Sequence, residues 1–250
     1  MIRIKNKEQI EGIRKSCSLL SSLFTEIKPR VQAGVSMLEL DSFARNFIEH
    51  HGGRPAFLGY EGYPATLCIS VNETVIHGIP TKQLLIEGDI VGLDCGIDLN
   101  GYYSDAALTL GVGRVSPEAD RLMRVTRECL ENAIASVRPG ARIHDISRAV
   151  FRHATNAGFG VVRQYCGHGV GLEMHEDPQI PNYVSPGPNP RLFPGMVVAI
   201  EPMINAGTGD VRVLDDDWTV VTLDSSLSAH YEHTILVTES GCEVFTSWQF

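Results

Sequence analysis

Gly92-Leu93-Asp94-Cys95-Gly96-Ile97-Asp98-Leu99-Asn100-Gly101-Tyr102-Tyr103-Ser104-Asp105-Ala106-Ala107 is the stretch of this 250-residue chain from which the rest can be read. An apolar run carries Asp94, Asn-Gly marks a tight hairpin turn, and the chain returns through Asp105 into Ala-Ala-Leu-Thr-Leu. With Asn100 and Gly101 as the turn residues, Leu99 faces Tyr102 and Asp94 faces Ala107. Asp105 then lies on the diagonal of Asp94, on the same side of the ribbon. A four-residue loop would place the two aspartates directly opposite, so either register brings them to one face. Buried side by side, two carboxylates lose hydration and repel, and something positive must sit between them. A solvated hairpin with an acidic face is the alternative that this stretch alone leaves open.

Composition narrows the setting. The chain is 43% hydrophobic and 20% charged, the balance of a globular protein with a sizeable core. Its net charge of −9 comes without a lysine or arginine cluster, which argues against direct nucleic-acid binding. Six scattered cysteines (Cys17, Cys68, Cys95, Cys129, Cys166 and Cys242) show no Cys-x-x-Cys spacing. That pattern excludes a zinc finger and suits free thiols in a reducing cytoplasm. No apolar run follows the charged N-terminus, so neither a signal peptide nor a membrane span is expected.

Outward from the hairpin, Asn6-x-x-Gln9 opens a helix whose Ile10, Ile13, Cys17, Leu20 and Phe24 recur at helical spacing up to Pro29. Ser36-x-x-Glu39 opens a second, with Leu40, Phe43, Phe47 and Ile48 inward and Gly52-Gly53 at its end. Residues 54–110 read as β-structure. Ser116-Pro117 starts a third helix with Leu122, Val125, Cys129 and Ala133 as its apolar stripe. A fourth is expected from Asp145 to Ala157, and Pro181 to Pro194 reads as an irregular loop.

The two halves overlay. Val31-Gln-Ala-Gly-Val-Ser-Met-Leu-Glu-Leu matches Val137-Arg-Pro-Gly-Ala-Arg-Ile-His-Asp-Ile at an offset of 106. Glu87-Gly88-Asp-Ile-Val-Gly-Leu-Asp94 matches Pro194-Gly195-Met-Val-Val-Ala-Ile-Glu201 at an offset of 107, which sets Asp94 on Glu201. Tyr103-Ser-Asp105-Ala likewise resembles His230-Tyr-Glu232-His. Such a repeat implies a single domain over 1–250, built of two α+β halves at roughly 1–110 and 114–250 that each offer two carboxylates.

Gly167-His168-Gly169-Val170-Gly171 with His175 adds two imidazoles among glycines, and Val75-Ile76-His77-Gly78 adds a third. Asp94, Asp105, His168, Glu201 and Glu232 together make a carboxylate-rich shell with one imidazole. That donor set suits hard or borderline dications such as Mn, Fe(II), Co or Zn, and four acidic groups balance two of them.

At this point the chain resembles the type I methionine aminopeptidases over essentially its full length. The resemblance rests on Gly59-Tyr60-x-Gly62-Tyr63-Pro64, Cys68-Ile-Ser-Val-Asn72-Glu73, His77-Gly-Ile-Pro80, Asp94 and Asp105. It continues through Gly167-His168-Gly169-x-Gly171, Met174-His175-Glu176, Glu201-Pro202-Met203, Trp218-Thr219 and Tyr231-Glu232-His233-Thr234. The resemblance implies the α+β pita-bread fold, with two pseudo-twofold halves and a curved antiparallel sheet covered by helices on one side. It implies removal of the initiator methionine from nascent chains, near the ribosome, by a cytoplasmic monomer.

It also implies roles. Asp94, Asp105, His168, Glu201 and Glu232 would hold two divalent ions, with Asp105 and Glu232 bridging. Glu201 would shuttle a proton from water to the leaving amine, His175 would donate to the scissile carbonyl oxygen, and His77 would contact the peptide nitrogen. Phe57, Tyr60, Tyr63, Cys68, Met174 and Trp218 would enclose the methionine side chain, where thioether sulfur packs against aromatic edges. A monovalent cation, Na or K, is implied near Asn72, Thr74 and Ser228. Three places depart from the family pattern: His230 replaces the usual glutamine, Asp217 the usual glycine, and Phe57 and Glu61 stand where some members carry cysteine and histidine.

Other readings fit less well: a type II methionine aminopeptidase would carry a large helical insertion in the second half, and none is visible. An Xaa-Pro aminopeptidase or prolidase shares the ligand types but carries a sizeable N-terminal domain, for which the 93 residues before Asp94 leave no room. A non-catalytic ribosome- or RNA-binding relative would have lost the ligands and gained basic patches.

Overall fold

The computed structural model describes residues 1–248. In its first half, α1 (Lys7–Ile27) and α2 (Met37–His50) precede β1 (Arg54–Pro55), β2 (Cys68–Val71), β3 (Thr74–Ile76), β4 (Ile90–Leu99) and β5 (Tyr102–Gly111). The second half opens with α3 (Pro117–Ala135) and α4 (Ile143–Asn156). Strands β6 (Gly160–Val161), β7 (Cys166–Gly169), β8 (Glu176–Pro181), β9 (Val197–Ile200) and β10 (Met203–Asn205) follow. The chain continues through β11 (Val211–Val213), β12 (Val220–Thr222), β13 (Ser228–His230), β14 (Glu232–Val237) and β15 (Cys242–Val244).

Local signals account for the helices. Asn6 and Gln9 each accept the other's backbone N–H at 2.9 Å, closing the capping box of α1. Ser36 and Glu39 do the same for α2, and Ser116 accepts the Ala119 N–H ahead of Pro117 in α3. The fourth helix begins two residues before its expected start. Asp145 accepts the Arg142 N–H at 2.9 Å, which makes it a residue of the first turn rather than the cap. On α2, Ala44 is fully buried whereas Phe43 and Phe47 are only half-buried, and the Arg30 guanidinium lies over the Phe43 ring. The two helices α2 and α4 have the same length, 14 residues, and their bounds differ by the 106-residue offset.

Between β1 and β4 the chain is far less regular than the β reading of 54–110 implies. Residues 56–67 and 77–89 are mostly turns and extended loops, interrupted by Pro64 and Pro80.

The hairpin forms in the register that Asn-Gly demands. Asn100 and Gly101 take φ of 56° and 84°, and β4 pairs with β5 from Leu99↔Tyr102 to Ile90↔Gly111. Asp94 sits opposite Ala107 and Gly96 opposite Asp105, so both aspartates share one face. Leu93, Cys95 and Ile97 of β4, with Ala106 and Leu108 of β5, point the other way into the main core. That core also takes Leu20 and Phe24 of α1, Leu122 and Cys129 of α3 and Val150 of α4, joining both halves.

The central antiparallel sheet runs β1-β4-β5-β14-β9-β7-β8, with β2 beside β4 and β15 beside β14. Strand β14 is the seam. Its Glu232 pairs with Ala107 of the first half, and its His233 pairs with Ile200 of the second. Four cysteines are buried, Cys166 and Cys242 half-buried, and all six are free thiols. Among the described residues no helix is long and apolar enough to cross a membrane.

Candidate metal and active site

Register alone delivers three of the acidic groups to one spot. Asp105 projects from β5 beside Ala107, Glu232 lies across from Ala107 on β14, and Asp94 lies across from it on β4. His168 comes from β7, paired through Ala199 to β9, whose end leads into Glu201. Donor atoms of Asp105, His168 and Glu232 lie within 4.8 Å of one another. His168 Nε2 stands 3.5 Å from Asp105 Oδ2 and 3.6 Å from Glu201 Oε1. Thr234 locks the seam: its hydroxyl donates to the Asp105 carbonyl at 2.7 Å and accepts the Asp105 N–H at 3.2 Å.

Asp105 Oδ1, Asp94 Oδ1 and Glu232 Oε1 are buried without a hydrogen-bond partner. Burial pushes Asp94, Asp105, Glu201 and Glu232 well above the ordinary carboxylate range, and repulsion from neighbouring carboxylates adds to it for Asp94, Glu201 and Glu232. His168 is pushed down to about 4, also by burial, so it presents a neutral ring. Its Nδ1 is 2.9 Å from the Gly169 carbonyl; an N–H donated there leaves the Nε2 lone pair facing the carboxylates. Orphaned carboxylate oxygens and a neutral imidazole aimed at one point fit divalent cations and fit little else. Such a site can hold metal and, through it, activate water.

A cavity of about 140 Å³ opens on this cluster. Phe57, Tyr60, Glu61, Tyr63, Cys68 and Trp218 line it together with His77, His175 and the acidic groups. The Tyr63 and Trp218 rings meet edge-on at 5.0 Å, and the Tyr63 hydroxyl donates to the Leu67 and Gly78 carbonyls at 3.0 and 2.9 Å. Met174 is buried one layer back and does not line the cavity. A Cβ on Gly96 would come within 3.1 Å of its Cε and 2.8 Å of Phe57 Cε1. Glycine at 96 therefore leaves room for that wall.

His175 Nδ1 lies 2.8 Å from the Tyr60 hydroxyl, and its ring meets that of His168 at 4.4 Å. His77 holds a left-handed φ of 57°, edge-on to Tyr165 and Trp218. Such backbone persists where surrounding packing dictates it, as at binding sites. Asp217 takes φ of 62°, a conformation aspartate tolerates, so the loop keeps the geometry that glycine permits. Asp216 orients the neighbouring tryptophan by accepting the N–H groups of Trp218 and Thr219 at 3.0 and 2.8 Å.

Ser228 N–H donates to the Asn72 carbonyl at 2.8 Å, and Asn72 keeps its side chain on Asp89 and Ile90. Two features of the site carry no local sequence signal. Tyr165 packs on His77 from another part of the chain, and Met1 and Arg3 line a second, larger hollow beside His77, His168, His175 and Glu201. The N-terminal arm is held there by a fully buried ion pair, Lys5 Nζ to Glu176 Oε2 at 2.8 Å.

An antiparallel sheet that gathers buried carboxylates and a neutral imidazole next to an aromatic-lined cavity defines a metal-dependent hydrolase. Residues 11–239 match metallopeptidase family M24, and the chain belongs to that family. It is 54% identical over 247 residues to a methionine aminopeptidase of Treponema pallidum, covering 98% of this chain and 96% of that one. It is 45% identical to methionine aminopeptidase 1 of Bacillus subtilis, covering 98% and 99%. The crystal structure of the methionine aminopeptidase from Rickettsia prowazekii superposes with a TM-score of 0.96 at 40% identity, covering 99% of this chain and all of that one. A prolidase from Pyrococcus furiosus shares the fold at a TM-score of 0.81 and 25% identity, and the chain spans 66% of its length. The architecture is thus the α+β pita-bread fold.

Proposed function

We propose that this chain is a metal-dependent methionine aminopeptidase that removes the initiator methionine from new polypeptides when the second residue is small. The observation that carries the reading is the aromatic cavity opening directly onto the carboxylate and imidazole cluster. Identity of 41–54% to methionine aminopeptidases over 98% of the chain supports it, whereas the prolidase likeness is at 25%.

Asp94, Asp105, His168, Glu201 and Glu232 would hold two divalent ions. Bound there, such ions supply Lewis acidity that lowers the pKa of water and polarises a carbonyl. Glu201 accepts the proton of the attacking water and delivers it to the leaving amine; burial raises its proton affinity toward that task. The Tyr60 hydroxyl donates to His175 Nδ1, which leaves the proton on Nε2 to face the carbonyl oxygen as negative charge develops. His77 meets the peptide nitrogen. Phe57, Tyr60, Tyr63, Cys68 and Trp218 enclose the methionine side chain, with Met174 behind Phe57 as support. A monovalent cation, Na or K, would bind near Asn72, Thr74 and Ser228; the Ser228 N–H donated to the Asn72 carbonyl supports their proximity.

The two halves act as one catalytic domain, since each supplies ligands to the same cluster. The protein works as a cytoplasmic monomer on nascent N-termini at the ribosome, and it binds neither nucleic acid nor membrane. Metal-stripped protein resupplied with Mn(II), Co(II) or Fe(II) is expected to cleave Met-Ala-Ser and to spare Met-Lys-Ser and Ala-Pro-Ala. Cleavage of Ala-Pro-Ala without methionine release refutes the assignment. His175→Ala and Glu201→Gln should each lower turnover by about 10²-fold or more while the fold persists. Unchanged turnover in either shows that its role is misassigned.

A further inference from the structure

His230 is the buried group that the roles above do not use. It is 4% exposed, and its Nε2 has no hydrogen-bond partner. Its backbone is held in place: His230 N–H donates to Thr109 Oγ1 at 3.0 Å, and that hydroxyl donates back to the His230 carbonyl at 2.8 Å. Thr109 stands on β5, two residues beyond Ala107 on the same face. From this backbone the ring points toward the acidic cluster. Nε2 lies 3.9 Å from Glu201 Oε2 and 4.0 Å from Glu232 Oε2.

Those separations are too long for hydrogen bonds. They fall between the ~3.0 Å of adjacent donors and the ~4.2 Å of opposite donors around one first-row dication bound at ~2.1 Å. His168 shows the same relation to its carboxylates, at 3.5 and 3.6 Å. Glu201 consequently lies between two imidazoles, with Oε1 toward His168 and Oε2 toward His230. An unpartnered buried nitrogen is costly, and a cation shared with Glu201 and Glu232 removes that cost.

We propose that His230 is a sixth donor of the metal group, binding through Nε2 the ion that Glu201 and Glu232 share. The assignment rests on the metal-dependent reading of the site but not on the identity of the substrate. A second imidazole moves the donor set away from Mg and Mn and toward Co, Fe(II) and Zn.

The test is proton NMR of the protein loaded with two equivalents of Co(II). Each imidazole bound through Nε2 contributes one hyperfine-shifted Nδ1–H signal that disappears in D2O. Two such signals are expected, with one left in His230→Gln, which keeps a polar side chain of similar length. Calorimetric titration of Co(II) should show at least one site weakened about tenfold or more in that variant. A single exchangeable signal in the unaltered protein overturns the proposal, and so do two signals that both persist in His230→Gln. Two signals in a protein that releases no methionine would support this assignment while refuting the proposed function.

Discussion

Replacing Lys5 with methionine should destabilise the protein far more than its place near the chain terminus suggests. The Lys5 and Glu176 side chains are each 1% exposed and meet at 2.8 Å. Burial outweighs the attraction of Glu176 and holds the ammonium below its ordinary pKa, so the pair already sits at the limit of what desolvation allows. Removing one member of a buried pair typically costs about 3–5 kcal/mol, because the other charge is left uncompensated. Here Glu176 Oε1 keeps the Leu172 and Glu173 N–H groups, at 2.7 and 3.2 Å, which favours the lower end. A loss of about 3 kcal/mol corresponds to a Tm lower by roughly 6–12 °C in a chain of this size.

The same pair ties the N-terminal arm to the segment that carries His175. Lys5→Met should therefore lower kcat on Met-Ala-Ser with little change in metal affinity. Thermal denaturation monitored by circular dichroism and calorimetry reads the first effect, and steady-state kinetics with metal titration reads the second. Lys5→Met combined with Glu176→Gln removes both charges yet keeps an acceptor for the Leu172 and Glu173 N–H groups, and should recover most of the lost stability. A Tm for Lys5→Met within about 2 °C of the parent protein would refute the reasoning, because it would mean that the pair is solvated in solution.

Metal removal should invert the usual pH dependence of stability. Asp94, Asp105, Glu201 and Glu232 have folded pKa values above their unfolded ones, so their contribution is lost as pH rises. His77, His168 and His175, lowered to about 4, and His230, lowered to about 3, contribute above the unfolded value near 6.5 and lose that contribution as pH falls. From about pH 6.5 upward the carboxylates alone act, and the metal-free protein loses stability as the pH rises through their raised pKa values, with a slope of at most about 1.4 kcal/mol per pH unit for each proton involved. Urea denaturation across that range should show this slope, and added Mn(II) or Co(II) should abolish it; a flat profile without metal contradicts the buried-cluster argument. Gly96→Ala sets a Cβ 2.8 Å from Phe57 Cε1 and 3.1 Å from Met174 Cε, which pushes both toward the cavity. KM for Met-Ala-Ser should rise about tenfold, the equivalent of 1.4 kcal/mol, with about 1–3 kcal/mol lost in stability. An unchanged KM would separate Phe57 from the pocket.

Much of the site could be read before any coordinates. Asn100-Gly101 dictates a two-residue turn, and that turn alone sets Asp94 and Asp105 on one face, as the observed register has it. The capping boxes at Asn6 and Ser36 and the Ser116-Pro117 start work through contacts three residues apart, so three helix starts were visible too. The fourth start was misplaced because Asp145 caps from within the first turn, a role that aspartate shares with the cap position itself. The β reading of 54–110 overreached, since β-branched residues flanked by prolines and glycines also suit ordered loops, and only packing tells them apart.

What sequence determined by itself is the local chemistry: the turn, the caps, the alternation that separates acid from core, and the family motifs that carry the ligand types. These depend on neighbours within a few residues, whose separation the covalent chain limits. Tertiary structure alone decided which distant groups meet. It put Lys5 on Glu176 across 171 residues, set Phe57 and Met174 together against Gly96, and turned His230 toward Glu201 and Glu232. The last of these depends on the seam at β14, where Glu232 pairs with β5 of the first half and His233 with β9 of the second.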